Sequence, residues 1–210
     1  MKFALNAALD ILPHNSNLQL WRKRTDSSCP LCKENQSLLH VLNNCRVARD
    51  LRRYNIRHDC VLQEIAKAIM PCLPPGTNFT VDITDRYKFP LHIVPTGLRP
   101  DIVWWSPSKK SLCLLEVTVC FESNFEQAAT RKIAKYLDLV DQATTAGYKT
   151  TLFTLQVGAR GVPDLPGFTH LVEFLEMRKK DLLTLLHDTT KAAITGSFII
   201  WCYRNRVLQS

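Results

Sequence analysis

Apolar residues recur at two different periods along this chain of 210 residues. Between Arg57 and Met70 they fall at Val61, Leu62, Ile65 and Ile69, the three-to-four spacing of an amphipathic helix. Pro71-Cys72-Leu73-Pro74-Pro75-Gly76 stops that helix, and the period then shortens. Phe79 to Thr84 alternates, while Ile102 to Trp105 and Leu112 to Val119 are apolar runs bounded by turn residues, as strands are. Ser106-Pro107-Ser108-Lys109-Lys110 between those two runs reads as a hairpin turn. Glu122 to Thr145 is helical again, with Ala129, Ile133, Tyr136, Leu137 and Val140 on one face and Gly147 past its end. Thr150 to Val157 reads as a strand, His170 to His187 as a helix, and Lys191 to Tyr203 as another in spite of Gly196. The expected fold class is α/β, in the order helix, three strands, helix, strand, helix, over about 165 residues. Some 45 residues without this pattern come first. We therefore expect an N-terminal segment over 1–46 and a larger domain over 47–210.

Composition narrows the function. Hydrophobic residues make up 46% and charged residues 22%, so the chain as a whole is folded rather than disordered. No apolar run reaches the roughly 18 to 20 residues of a membrane span, and the N-terminal stretch, with Asp10 after a single Lys2, makes a poor signal peptide. The expected setting is intracellular, nuclear or cytoplasmic, with no membrane partner and no secretion. Lys and Arg number 27 against 19 Asp and Glu, a formal charge of +8 that favours a polyanionic partner.

Eight cysteines are many for a reducing compartment, where thiols serve as metal ligands more often than as disulfides. Cys29, Cys32, His40 and Cys45 form a C-x2-C-x7-H-x4-C series, and thiolate with imidazole is the ligand set zinc prefers. Cys29 and Cys32 would sit on a tight turn, with His40 and Cys45 delivered from one side by a helical pattern around Leu38 to Leu42. Cys60, Cys72, Cys113, Cys120 and Cys202 lack ligand spacing and read as small buried hydrophobes. Arg46, Arg49, Arg53 and Arg57 recur at three, four and four residues, so one continuing helix would carry them as a stripe able to follow phosphates.

Two carboxylates add candidate chemistry. Asp101 opens one expected strand and Glu116 lies inside the next, where a charge among apolar neighbours is costly without a partner. The hairpin turn would bring the two together, and paired oxygen ligands suit magnesium or manganese, an ion able to activate water against a phosphodiester. Glu64 and Asp82 rank below them as further ligands. Trp104 and Trp105 point to opposite faces of a strand, so at most one belongs in the core.

Arg99-Pro100-Asp101 followed by Glu116 on the next strand resembles the PD-(D/E)XK nuclease fold. Together with the Cys29 to Cys45 series, Tyr54 to Asp59 and Val157 to Gly161, it resembles the C-terminal region of site-specific non-LTR retrotransposons, without their reverse transcriptase domain. The resemblance implies a metal-dependent endonuclease that nicks DNA, a zinc knuckle and basic helix holding DNA or RNA, and association with a reverse transcriptase in the parent element. Thr118 stands where the ordinary motif has lysine. The resemblance therefore implies a cation from the following helix, with Lys132 and Lys135 as candidates. At 100° per residue, Lys132 lies about 60° and Lys135 about 120° from the expected buried face, which favours Lys132. Arg57-His58 resembles a family motif with a nucleic-acid or structural role, and Asp59 would cap the following helix.

Overall fold

In the computed structural model, which describes residues 2–83 and 89–206, four strands form one sheet in the order β1 (Asn78–Val81), β2 (Ile102–Ser106), β3 (Ser111–Cys120) and β4 (Lys149–Gly158). The first three are antiparallel, and β3 and β4 run parallel. A parallel pair needs a long crossover, supplied here by the helix between them, which is labelled α5 (Phe125–Thr145) below. The N-terminal segment holds α1 (Lys2–Ala8), α2 (Asn15–Leu20), a wide turn over His40–Asn44 and α3 (Arg46–Asp50), followed by α4 (Arg53–Ile69). After β4 come α6 (Leu165–Phe174) and α7 (Lys179–Cys202). The order helix, three strands, helix, strand, helix is thus present, making a mixed α/β fold. Thr84, the end of the first expected strand, lies outside the described residues.

Alternation along the strands sorts the core into two layers. Cys113, Leu115, Val117 and Val119 of β3, with Phe153, Leu155 and Val157 of β4, pack against Val61, Leu62, Ile65 and Ile69 of α4 and against α6 and α7. Leu112 and Leu114 face the other way, onto Tyr136, Leu139 and Ala143 of α5 and onto Phe89, Ile93 and Val94. Trp104 belongs to the first layer and Trp105 packs at the edge of the second. The N-terminal segment shares a third cluster with the rest of the chain, in which Ala7, Leu38, Val41 and Leu42 meet Ala159, Ile200 and Trp201.

Four expectations are corrected. The buried stripe of α5 runs through Ala128, Tyr136, Leu139 and Ala143, whereas Ile133 and Leu137 are exposed. The helix is amphipathic as expected but rotated, because the sheet above it sets which side is covered. The two C-terminal helices break at 175–178 rather than near 188–190, so α7 is one helix that includes Gly196. Gly196 has a packing reason, since a Cβ there would lie 2.6 Å from Arg57 Cγ across the α4–α7 contact. Of the five unassigned cysteines only Cys113 is fully buried; Cys60, Cys72 and Cys202 are exposed and Cys120 is half-buried. Asp59 caps no helix, because α4 already begins at Arg53.

The arginine stripe does not form. Arg52 adopts the left-handed conformation at φ 55°, and this kink separates α3 from α4. Arg46 and Arg49 stay exposed on α3. Arg53 turns inward to donate to the carbonyls of Tyr203 at 2.7 Å and Arg206 at 2.5 Å. Arg57 is 1% exposed and donates to Ser197 Oγ at 3.0 Å and to the Val119 carbonyl at 3.2 Å. Two of the four cations are therefore structural, holding the C-terminal helix against α4 and the end of β3.

Candidate functional site

Cys29, Cys32, His40 and Cys45 are buried, and their ligand atoms all lie within 4.8 Å of one another. A loop places the first pair, with the Cys29 amide donating to the Glu34 carbonyl and the Lys33 amide to the Cys29 carbonyl. The segment over His40–Asn44 is a π-type turn rather than the expected α-helix, closed by the Cys45 amide on the His40 carbonyl at 2.8 Å. That wide i to i+5 ring brings His40 and Cys45, five residues apart, to the same side. Cys45 Sγ is 3.9 Å from Cys32 Sγ. With zinc to sulfur bonds of about 2.3 Å, the edge of a tetrahedron is about 3.8 Å. His40 Nε2 lies 3.2 Å from Cys32 Sγ, and its Nδ1 points to Glu34 Oε2 at 3.5 Å, the outer carboxylate that orients a metal-bound imidazole. The donor chemistry and spacing suit zinc.

The second site lies where β2 and β3 begin to separate. Ile102 pairs with Leu115, so the next pair in the antiparallel register is Asp101 opposite Glu116. Residues opposite one another share a face of the sheet. Asp101 Oδ2 accepts from the Val117 amide at 2.7 Å and from His58 Nε2 at 3.3 Å. His58 also faces Asp59 Oδ1 through Nδ1 at 3.1 Å. Burial alone would lower the imidazole pKa, but the hydrogen bonds and charges of the two aspartates outweigh it and raise it to about 10. Burial likewise pushes Asp101 up, and the hydrogen bond and charge of His58, with the charge of Lys132, bring it below its ordinary value.

Glu116 is 1% exposed, and its Oε2 takes an ion pair from Lys132 Nζ on α5. Lys132 stands on the buried stripe one turn from both Ala128 and Tyr136, so rotation of the helix brings it closer to the sheet than the expected 60° offset. Burial first, then the charge of Asp101, raise the Glu116 pKa, against the pull of Lys132. Lys135 is directed elsewhere, with Nζ donating to the Tyr136 hydroxyl at 2.7 Å while that hydroxyl donates to the Arg99 carbonyl. Of the lower-ranked acids, Asp82 is held by Arg99 and Glu64 by Lys67. The structure thus brings together Asp101, Glu116 and Lys132, and leaves Lys135, Glu64 and Asp82 in other pairings.

Sequence reasoning missed the contact of His58 with Asp101. It arises between α4 and the sheet, and no local period reports it. It also passed over Gln156, a polar residue inside the apolar run Leu152 to Val157, although the same signal had singled out Glu116. A separate groove of about 420 Å³ between α4 and α7 is lined by Ile56, Cys60, Ala192 and Ile199 among others, and includes none of Asp101, Glu116 and Lys132. Among the described residues no helix is long and apolar enough to cross a membrane. Comparison of the chain with protein-family models and with curated proteins finds no match.

Proposed function

We propose that this chain is a metal-dependent DNA endonuclease of retrotransposon origin, with a PD-(D/E)XK core and a zinc-bearing, basic N-terminal segment that holds nucleic acid. The observation that carries the reading is the register that sets Asp101 opposite Glu116 with Lys132 beside it. The donor set fits magnesium or manganese. Both carboxylates offer hard oxygens, and Glu116 Oε1 is buried without a hydrogen-bond partner among the described residues. A divalent cation there would supply an activated water and offset charge developing on the scissile phosphate. The chain's own groups do the rest. His58 and the Val117 amide hold Asp101 in one orientation, while Lys132 is near enough to steady a phosphate oxygen beside Glu116. DNA is the substrate, RNA is a further partner open to the zinc segment, and a reverse transcriptase is the associate expected of the parent element.

The test is nicking of supercoiled plasmid across Mg²⁺, Mn²⁺ and Ca²⁺. Asp101→Ala and Glu116→Ala are expected to abolish it while the circular dichroism of the wild type is retained. Cation-dependent nicking that survives in both variants ends the assignment. A second reading, a nucleic-acid-binding module without catalysis, draws on the same Lys132–Glu116 ion pair, which already occupies one carboxylate oxygen. It predicts salt-sensitive binding and no cleavage with any of the three ions.

A further inference from the structure

On the α5 face of the sheet the side chains change character along the strands. Leu112, Leu114 and Leu152 pack into the α5 layer, and then Glu116, Thr118 and Gln156 follow. Glu116 and Thr118 share a face of β3, and Gln156 of β4 lies beside Thr118 in the parallel register. Glu116 Oε1, Thr118 Oγ1 and Gln156 Nε2 are all buried, and none has a hydrogen-bond partner among the described residues. Gln156 is 2% exposed. Each orphaned group costs about 1–3 kcal/mol, so packing alone would favour apolar residues at these positions.

Their placement gives the three a common target. Adjacent strands stand about 4.8 Å apart and residues i and i+2 about 7 Å apart, so the three side chains rim one small area. A carboxylate oxygen accepts, an amide nitrogen donates and a hydroxyl does both. A single water can donate to Glu116, accept from Gln156 and exchange a hydrogen bond with Thr118, within the two to four partners that a buried water takes. One of the three groups is also the carboxylate opposite Asp101.

We infer that Glu116 Oε1, Thr118 Oγ1 and Gln156 Nε2 form a polar recess for a water of the hydrated divalent cation held by Asp101 and Glu116, which makes Thr118 and Gln156 positioning residues for that cation. The inference rests on the metal site of the proposed function and adds two residues to it. Magnesium and manganese suit such a recess, since magnesium in particular sheds its waters reluctantly and binds through few carboxylates.

Binding of Mn²⁺ to the zinc-loaded full chain, read by electron paramagnetic resonance of the free ion, tests it in wild type, Gln156→Leu, Thr118→Val and Asp101→Asn. The two recess variants are expected to weaken Mn²⁺ binding by about 10- to 100-fold, the usual loss when an outer partner of a metal site is removed. Without added Mn²⁺ their melting temperatures should equal or exceed that of wild type, because each substitution removes an unpaired buried polar atom. A purely structural role would give the reverse, lower melting with unchanged affinity, and that result overturns the inference. Affinity lost in Asp101→Asn but kept within twofold in both recess variants also overturns it, leaving the two-carboxylate site intact. Wild type that binds no Mn²⁺, or Asp101→Asn that binds as wild type does, removes the metal site and the recess together.

Discussion

Glu116 sits where opposing effects are nearly balanced. It is buried in an apolar strand, with the Asp101 charge nearby, and both raise its pKa while Lys132 pulls it down. Replacing Lys132 by Met removes the pull and leaves a buried carboxylate uncompensated. A carboxyl whose folded pKa is raised contributes stability below its unfolded value near 4.5 and loses it as pH rises through the folded value. The cost of Lys132→Met should therefore be small at pH 5 and grow towards pH 8. About 2 kcal/mol is expected there, at the lower side for a broken buried pair because Lys132 is 21% exposed. Urea denaturation at the two pH values measures it, and an equal cost at both would show that the ion pair is not the source. Within the proposed function, nicking by Lys132→Met should also fall to background. The acidic pair itself was legible in the sequence as a charge inside an apolar run. His58 and Gln156 were not, because their meaning comes from neighbours on other elements.

Helices α4 and α7 meet at a point with no room for another carbon. A Cβ on Gly196 would lie 2.6 Å from Arg57 Cγ and 3.1 Å from its Cα, and the Arg57 backbone cannot yield as a flexible side-chain end would. On an exposed helix Gly→Ala gains about 1 kcal/mol. Here Gly196→Ala is expected to destabilise the fold by about 1–3 kcal/mol, the usual cost of overpacking, as read from a chemical denaturation midpoint. The cysteine and histidine segment is an element of another kind, with its ligands on a loop and a π-type turn. Leu38, Val41 and Leu42 beside it pack on Ala159, Ile200 and Trp201, and Asn43 Nδ2 donates to the Val119 carbonyl. Metal loss should therefore be felt beyond the segment. The purified chain is expected to carry one zinc, lost in the double variant Cys29→Ser, Cys32→Ser. Chelation should lower the melting temperature of the whole chain by about 5–10 °C, equivalent to roughly 2–3 kcal/mol at this size. Full-length protein with no zinc under reducing conditions, or a melt indifferent to chelator, would contradict this.

Over the whole molecule the formal charge of +8 favours a polyanion, but the cations divide into two groups by exposure. Arg46 and Arg49 are exposed, whereas Arg53 and Arg57 are committed to backbone carbonyls and Ser197. If nucleic acid is held along α3, the pair Arg46→Ala, Arg49→Ala should lower the slope of log affinity against log salt by about two. Its melting temperature should not change. Arg57→Ala should instead lower the melting temperature, since its buried stem and hydrogen bonds are lost. Fluorescence anisotropy with labelled DNA over a salt series separates the two outcomes.

Much of this organisation is local in origin and was written in the sequence. Periods of 3.6 and 2 determined the order of helices and strands, because a helix or strand must present one apolar side to a core whatever lies opposite. Ligand spacing picked out Cys29, Cys32, His40 and Cys45 for a similar reason, since a 17-residue segment brings its own donors together. Tertiary structure decided the rest. It set the rotation of α5 that turns Lys132 rather than Lys135 to the sheet, the kink at Arg52 that divides the arginines, and the contacts of His58 and Gln156. Each depends on which surface of one element another covers. Residues far apart in the chain set that choice through packing, and no local period encodes it.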